Sequence, residues 1–378
     1  MFKFLKKNQK SHTTVMPAKT APGYIGLEIG KHSIHLCQLK SMPNKCFSIM
    51  AKSSIRFSEN RQDLMAEPLR LKRMINNAIK SKPFRGRKVV ALMPWWEVKI
   101  ILLNYRSNVA DVDAEIVKLV AKRVDGDIED YVIDYMPVRC NPTDEEHMAA
   151  VSVASKDKVM AMLNTLDQCG LDVESLDIAP AALRRLVGTL YTKGGTDNVL
   201  IINAGTDESF LTIVSGRRLL YYQAVSFGEN RLLRTIAEEL DIEPGAARKL
   251  IENNGFGVSV EPVASFGSRA DIATTLTEIL KPCFLELIEE INRVLIFTAS
   301  ETHGTPLSRV CLLGSIAHWD GAESLLMSLM NVKIETDSTD FWRVFQDENE
   351  HTTISWSSLF PELAIATGLA LRGMVDHE

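Results

Sequence analysis

The sequence predicts an α/β protein of two homologous lobes, each a mixed sheet with flanking helices and each carrying one inserted subdomain. Three observations lead to this. Two hairpin segments about 170 residues apart share one pattern: Gly23-Tyr-Ile-Gly-Leu-Glu28-Ile-Gly30-Lys31-His32-Ser33 and Asn198-Val-Leu-Ile-Ile-Asn203-Ala-Gly205-Thr206-Asp-Glu. Each runs from an apolar strand through an acidic or amide residue to a glycine turn, then into a second alternating strand. Each hairpin is followed by a third strand and a series of helices and strands. From Ala110 onward the composition shifts, and an extra α/β unit interrupts the first series. Glycine at such a turn permits positive φ and lets backbone N–H groups approach a phosphate with no Cβ between. Two such turns, one per lobe, imply a nucleotide cleft.

The elements follow in order. Residues 1–22 hold five lysines with Phe2, Phe4 and Leu5 among them. They read as a flexible basic tail, too poor in apolar residues for a membrane-surface anchor. The first lobe's core is expected over 23–106 plus 175–197. It contains the first hairpin, a strand over Cys46–Phe57, a helix over Glu67–Ser81 and strands over Lys88–Met93 and Val98–Asn104; a helix over Asp177–Val187 returns to it. Leu69, Met74, Ile75 and Ile79 give the first helix its apolar side. The inserted subdomain is expected over 107–174: a helix over Asp111–Val124 with acids in its first turn, strands over Tyr131–Arg139 and Met148–Ser155, and a helix over Lys156–Cys169 stopped by Gly170. Thr192–Asp197 has the chemistry of a linker.

The second lobe's core is expected over 198–227 plus 301–378, with a helical subdomain over 228–300. Arg217 heads its third strand. Helices are expected over Gly228–Glu239, Glu243–Asn253 and Ile272–Ser300, the last broken or kinked at Pro282. A strand over Ser308–Leu313 ends at Gly314, a helix over His318–Met330 follows, then a short strand at Val332–Glu335 and a closing helix over Pro361–Met374.

Composition excludes several classes. With 378 residues, 46% hydrophobic and 24% charged, the chain is an ordinary globular protein. A net charge of −5 gives no global attraction to nucleic acid. The longest apolar runs, such as Leu363–Leu371, fall well short of the roughly 20 residues a spanning helix needs, and no signal core follows the basic start. The cysteines at 37, 46, 140, 169, 283 and 311 form no Cys-x-x-Cys pair and have no histidine at metal spacing. Reduced thiols in a cytoplasmic protein are the direct reading. No hydrolase, zincin or Walker-type motif is present, so no catalytic residue and no protein-held metal is assigned. Trp95-Trp96 after Pro94 reads either as a docking pair or as core packing under a loop.

The order of elements, with one insertion per lobe, is similar to the actin-like ATPase fold. From Gly23 onward the chain resembles the PilM family of that superfamily, the cytoplasmic actin-like proteins of type IV pilus assembly. The resemblance rests on Tyr24-Ile-Gly-Leu-Glu-Ile-Gly, Ala149-Ala-Val-Ser-Val-Ala-Ser-Lys-Asp-Lys-Val, Cys169-Gly-Leu-Asp-Val-Glu-Ser-Leu-Asp-Ile and Ser226-Phe-Gly-Glu-Asn-Arg-Leu. Ser308-Arg-Val-Cys-Leu-Leu-Gly and Pro361-Glu-Leu-Ala-Ile-Ala-Thr-Gly-Leu-Ala-Leu-Arg-Gly complete the series. The related FtsA family shares the placement of the insertion but ends in an amphipathic membrane-targeting helix, for which Leu369–Glu378 is too short and acidic.

The resemblance implies cofactor-binding roles for Glu28, Gly30, Lys31, His32, Ser33, Asn203, Gly205, Thr206, Gly228, Gly314 and Ser315, and ATP with Mg²⁺ as the cofactor, held weakly or lost. Glu28 stands where the family has Asp, Asn203 replaces a second Asp, Ile316 enters a turn that is glycine-rich in relatives, and Ala179 stands where relatives often show Glu. The implied function is an adapter on the cytoplasmic face of the inner membrane. It would clasp the N-terminal cytoplasmic tail of a PilN-like single-pass protein, in a groove between the first lobe's core and the inserted subdomain. Other pilus platform or motor ATPase proteins and self-association are further implied partners; nucleic acid is not one. The alternatives are an active actin-fold ATPase or sugar-kinase relative, and an FtsA-like polymerising protein.

Overall fold

The computed structural model describes residues 22–42, 46–139, 145–190, 198–216, 218–257, 269–299, 301–302, 304–330, 345–347 and 356–374. The expected tail up to residue 21, the linker Thr192–Asp197, the strand Val332–Glu335 and Arg217 lie outside the described residues.

In the first lobe β1 (Pro22–Ile29) and β2 (Ser33–Ser41) form the first hairpin, with β3 (Phe47–Arg56) antiparallel to β2. Alternation divides their side chains between two faces, as the pleat requires. Ile25, Leu27, Ile34 and Leu36 join one buried cluster, while Cys37 and Leu39 join another. On the first face lies α2 (Pro68–Ser81), started by Pro68 at its first position and burying Leu71, Ile75, Ala78 and Ile79. It is preceded by a short helix the sequence did not announce, α1 (Arg61–Ala66), whose cap Asn60 accepts from the Asp63 amide. β4 (Lys88–Leu92) then pairs parallel with β1.

A single 3₁₀ turn over Trp95–Glu97 leads into β5 (Val98–Arg106). This strand joins β6 (Tyr131–Arg139) and β7 (Glu146–Ser155) in a separate antiparallel sheet, ordered β5-β7-β6. α3 (Val112–Ala121), capped by Asp111, covers one face of it, over Leu103, Tyr105, Ala149, Val151 and Val153. On the other face Met136, Val138, Ala150 and Ala154 merge with the main core. The inserted sheet, expected within 107–174, thus takes its first strand from residues before 107. α4 (Lys156–Gln168) buries Val159, Met162 and Leu166 in the main core. β8 (Asp172–Asp177) pairs parallel with β4 at the edge of the first lobe's sheet. The returning helix, expected from Asp177, starts two residues later as α5 (Ala179–Leu190).

The second lobe repeats the plan. β9 (Asn198–Ala204), β10 (Ser209–Ser215) and β11 (Arg218–Val225) form an antiparallel set, and β12 (Arg309–Gly314) pairs parallel with β9. The order β11-β10-β9-β12 reproduces β3-β2-β1-β4 with the same directions, so the duplication in sequence is a duplication in topology. The helices α6 (Glu229–Leu240), α7 (Pro244–Asn254) and α8 (Arg269–Thr298) make the helical insertion. Of the break or kink expected at Pro282, the break does not occur. α8 runs through it, with Leu276, Leu280, Cys283, Phe284 and Leu287 buried on both sides, so packing outweighs the lost backbone bond. The helix expected over His318–Met330 is divided: a 3₁₀ turn over Ser315–His318, then α9 (Ala322–Met330), with Gly321 at φ +78° between.

The chain ends by crossing back. β13 (Phe345–Asp347) adds to the outer edge of β3. α10 (Trp356–Ala370) lies on β1, β2 and α5 of the first lobe and on β12 of the second. The approach is close enough to demand glycine on both sides. A Cβ at Gly26 would fall 1.9 Å from the Ala366 carbonyl oxygen, and one at Gly368 would fall 2.2 Å from that of Ala182.

Candidate functional site

The two hairpin turns are built alike. The Gly30 amide donates to the Ser33 carbonyl at 2.8 Å, and the Gly205 amide donates to the Glu208 carbonyl at 3.1 Å. Between them opens a cavity of about 540 Å³. Of the residues singled out from sequence, Glu28, Gly30, Lys31, His32, Ser33, Asn203, Gly205, Thr206, Gly314 and Ser315 line it together, as does Ala179. Gly228 is not among the lining residues. A Cβ there would lie 2.3 Å from the Asp207 carbonyl carbon, so this glycine lets α6 dock on the second turn. That docking is fixed by the Glu229 and Asn230 amides, which donate to the Gly205 and Thr206 carbonyls at 3.1 and 2.8 Å. Ile316 does not enter the cavity. Gly314 at φ +88° turns the chain so that Ile316 is fully buried in the core behind it.

Most charged side chains in the cavity are joined in pairs that the sequence did not announce; Glu208 also lines it, with its buried Oε2 accepting no hydrogen bond from the described residues. Lys31 Nζ reaches Asp207 Oδ2 at 3.0 Å, linking the two turns. Asn230 Nδ2 holds the other oxygen of Asp207 at 2.9 Å. Partial burial pushes the Asp207 carboxyl up, but the hydrogen bonds from Asn230 and Lys31 outweigh it and hold the group below the ordinary carboxylate range. Glu28 faces His35 across the hairpin, with 3.3 Å between Oε2 and Nδ1. The signal for this pair was in the sequence: both stand equally far from the turn, and the register pairs them directly. Glu229 is bound by Arg248 of α7.

Glu362, on α10, is the meeting point of both lobes. Its carboxylate lies 3.3 Å from His318 Nε2, 3.3 Å from Arg56 Nη2 and 3.9 Å from His35 Nε2. The hydrogen bond from His318, opposed by burial and aided by the charges of His35 and Arg56, brings the Glu362 pKa down to about 2. Burial lowers the His35 pKa, but Glu28 and Glu362 more than reverse this and raise it.

Aromatic residues form the cavity's remaining wall. Trp95 meets Phe210 of the second lobe edge-on at 5.4 Å, and Phe210 stacks on Tyr222 at 5.4 Å. Trp96 is 36% exposed and lies near two cations, with Lys31 Nζ at 5.7 Å and the Arg61 guanidinium at 5.4 Å from its ring centre. Trp95, half-buried, therefore packs against the second lobe in the cavity wall, while Trp96 is a cation platform beside the cleft. Among the described residues no group of three or more His, Cys, Asp or Glu side chains is placed to hold a metal ion. None of their helices is long and apolar enough to cross a membrane.

Two lobes of identical sheet order, a glycine hairpin in each and a cleft between them define an actin-like protein. The whole-chain comparisons agree. The structure of the PilM-PilN type IV pilus biogenesis complex superposes with a TM-score of 0.72 at 22% identity, covering 93% of this chain and 99% of that one. The ethanolamine utilization protein EutJ from Carboxydothermus hydrogenoformans gives 0.52 at 10% identity over 94% and 91% of the two chains. MreB 5 of Spiroplasma citri, bound to AMPPNP, gives 0.50 at 9% identity over 93% and 95%. No curated protein matches the sequence. The family model for type IV pilus assembly protein PilM matches residues 26–374, and the chain belongs to that family.

Proposed function

We propose that this protein is an adapter of the type IV pilus, or of a related secretion platform, which binds the N-terminal cytoplasmic tail of a PilN-like single-pass protein. It stays in the cytoplasm and reaches the inner membrane through that partner. The observation that carries the reading is the inserted sheet. Its edge strand β5 pairs only with β7 among the described residues, and one face of the sheet is continuous with the main core. An edge strand next to a firm body suits capture of an extended peptide, with main-chain hydrogen bonds giving affinity and flanking pockets giving selectivity. The solved PilM-PilN complex, similar over the whole chain, supports the same reading.

The cleft retains the frame of a nucleotide site but not its usual chemistry. A magnesium ion beside phosphates is held through carboxylates and water. Here Glu28 is engaged by His35, Asn203 is neutral and Asp207 is engaged by Lys31. These residues do not fit the ion, so ATP with Mg²⁺ binds weakly or not at all, and the adapter role does not depend on hydrolysis.

A synthetic peptide of the PilN-like tail tests the adapter reading. Calorimetry should give a dissociation constant near the micromolar range, about −8 kcal/mol. Amide exchange should slow on binding within Val98–Arg106 and the adjoining inserted sheet. Absence of saturable binding by about 100-fold that concentration, or protection confined to the second lobe, would remove the reading.

A further inference from the structure

Each lysine and arginine lining the cleft already has an acid. Arg56 lies against Glu362, Arg248 against Glu229, and Lys31 against Asp207. The last pair differs from the others in position. It alone spans the tips of the two glycine turns, the place where an incoming oxyanion would have to sit. The backbone N–H groups of Lys31, His32, Thr206 and Asp207 donate to no backbone group of the described residues. All four residues line the cavity. Lys31 Nζ also lies over the Trp96 ring, 5.7 Å from its centre, and Asp207 is held by Asn230 on α6.

We propose that the Asp207 carboxylate stands in for a phosphate, binding Lys31 between the two turns, and is the residue that excludes phosphate-bearing ligands from this cleft. The inference rests on the reading that the cleft is the remnant of a nucleotide site. A carboxylate and a phosphate oxygen make the same charge-assisted bond to an ammonium group. Being carried on the chain, the carboxylate competes at an effective concentration that free ligand rarely reaches. It also repels: a unit negative charge about 4 Å from a phosphate is unfavourable even in a wet cleft. Removing the charge while keeping the shape should therefore open the site, and the opened site should need Lys31 rather than a metal.

Asp207→Asn is the decisive variant, since the amide keeps the Asn230 bond. Both Lys31 and Asp207 are about one-third exposed, with 37% and 35% of their side-chain surface open, so substitution leaves the core untouched. Full-length wild type, Asp207→Asn and the double variant Lys31→Met with Asp207→Asn are titrated calorimetrically with ATP and with inorganic pyrophosphate. Each titration is run once in EDTA and once in Mg²⁺, and thermal unfolding checks the fold. Asp207→Asn should bind both ligands in EDTA at least about tenfold more tightly than wild type, and the double variant should lose the gain. Asp207→Asn binding no better than wild type, or a gain that survives the loss of Lys31, overturns the proposal and leaves the weak-cleft reading standing. Tight, Mg²⁺-dependent ATP binding by wild type, weakened in Asp207→Asn, overturns both, because Asp207 would then serve the metal. The peptide titration reads the adapter function independently of either result.

Discussion

Glu362→Gln keeps the size of the side chain and removes the charge on which Arg56, His35 and His318 converge. The magnitude follows from its setting. The carboxylate is about one-tenth exposed, and its pKa falls from 4.5 to about 2. A fall of that size corresponds to about 3 kcal/mol of stabilisation at neutral pH. A carboxyl whose pKa is depressed on folding stabilises fully above its unfolded value of 4.5, and the contribution is lost as pH falls toward 2. His35 has the opposite sign. Its pKa is raised above 6.5, so its share is complete below that value and disappears as pH rises through the folded pKa. The two together place the largest difference between wild type and Glu362→Gln between about pH 4.5 and pH 6.5. Urea unfolding at pH 5.5 and pH 8.5 measures it. A loss of about 2–3 kcal/mol is expected at the lower pH and a smaller loss at the higher one. A loss below about 1 kcal/mol at pH 5.5, or one that grows toward pH 8.5, would show that Glu362 does not hold α10 to the two lobes through charge.

Asp177→Ala should cost about 3–5 kcal/mol in the same assay, because it leaves the buried guanidinium groups of Arg185 and Arg372 without their shared carboxylate; a loss under about 1 kcal/mol would mean that water or the Gly368 carbonyl replaces it. Gly245→Ala, in the first turn of α7 with no atom within 4 Å of the new Cβ, should raise stability by up to about 1 kcal/mol, and any loss in the urea midpoint would count against this placement of α7.

The duplicated hairpins could be read because everything that specifies them is local: a period of two, a glycine turn, and an acid or amide two positions before the glycine. β8 could not. Its sequence, Asp-Val-Glu-Ser-Leu-Asp, carries three carboxylates and announces no element, yet it becomes a strand because β4 offers it an edge. Asp177 at its end is tolerated at 0% exposure through the Ile178 amide and through Arg185 and Arg372, the latter almost 200 residues onward. The cleft divides the same way. Its glycines and Glu28 announced themselves, and the Glu28–His35 pair could have been derived by counting outward from the turn. Lys31 with Asp207, and Glu362 with His318 and Arg56, join residues from separate lobes, and no local pattern records them. Ile316 shows the reverse error. A branched residue in a glycine-poor turn suggested obstruction, whereas the backbone at Gly314 turns it into the core.

The position of α10 also bears on how the molecule comes to exist. The strand it covers, β1, ends at Ile29, while α10 begins at Trp356, so roughly 330 residues of chain separate them. At ribosomal rates of about 5–20 residues per second the apolar face of the first sheet waits for tens of seconds before its cover is made. The first lobe therefore cannot close while the second is being synthesised. A nascent chain long enough to contain the whole inserted sheet still lacks the helix that completes the lobe beneath it. Closure of this face therefore waits for α10, and Cys37, Leu39 and Val90 lack that cover for as long as the chain is only half built.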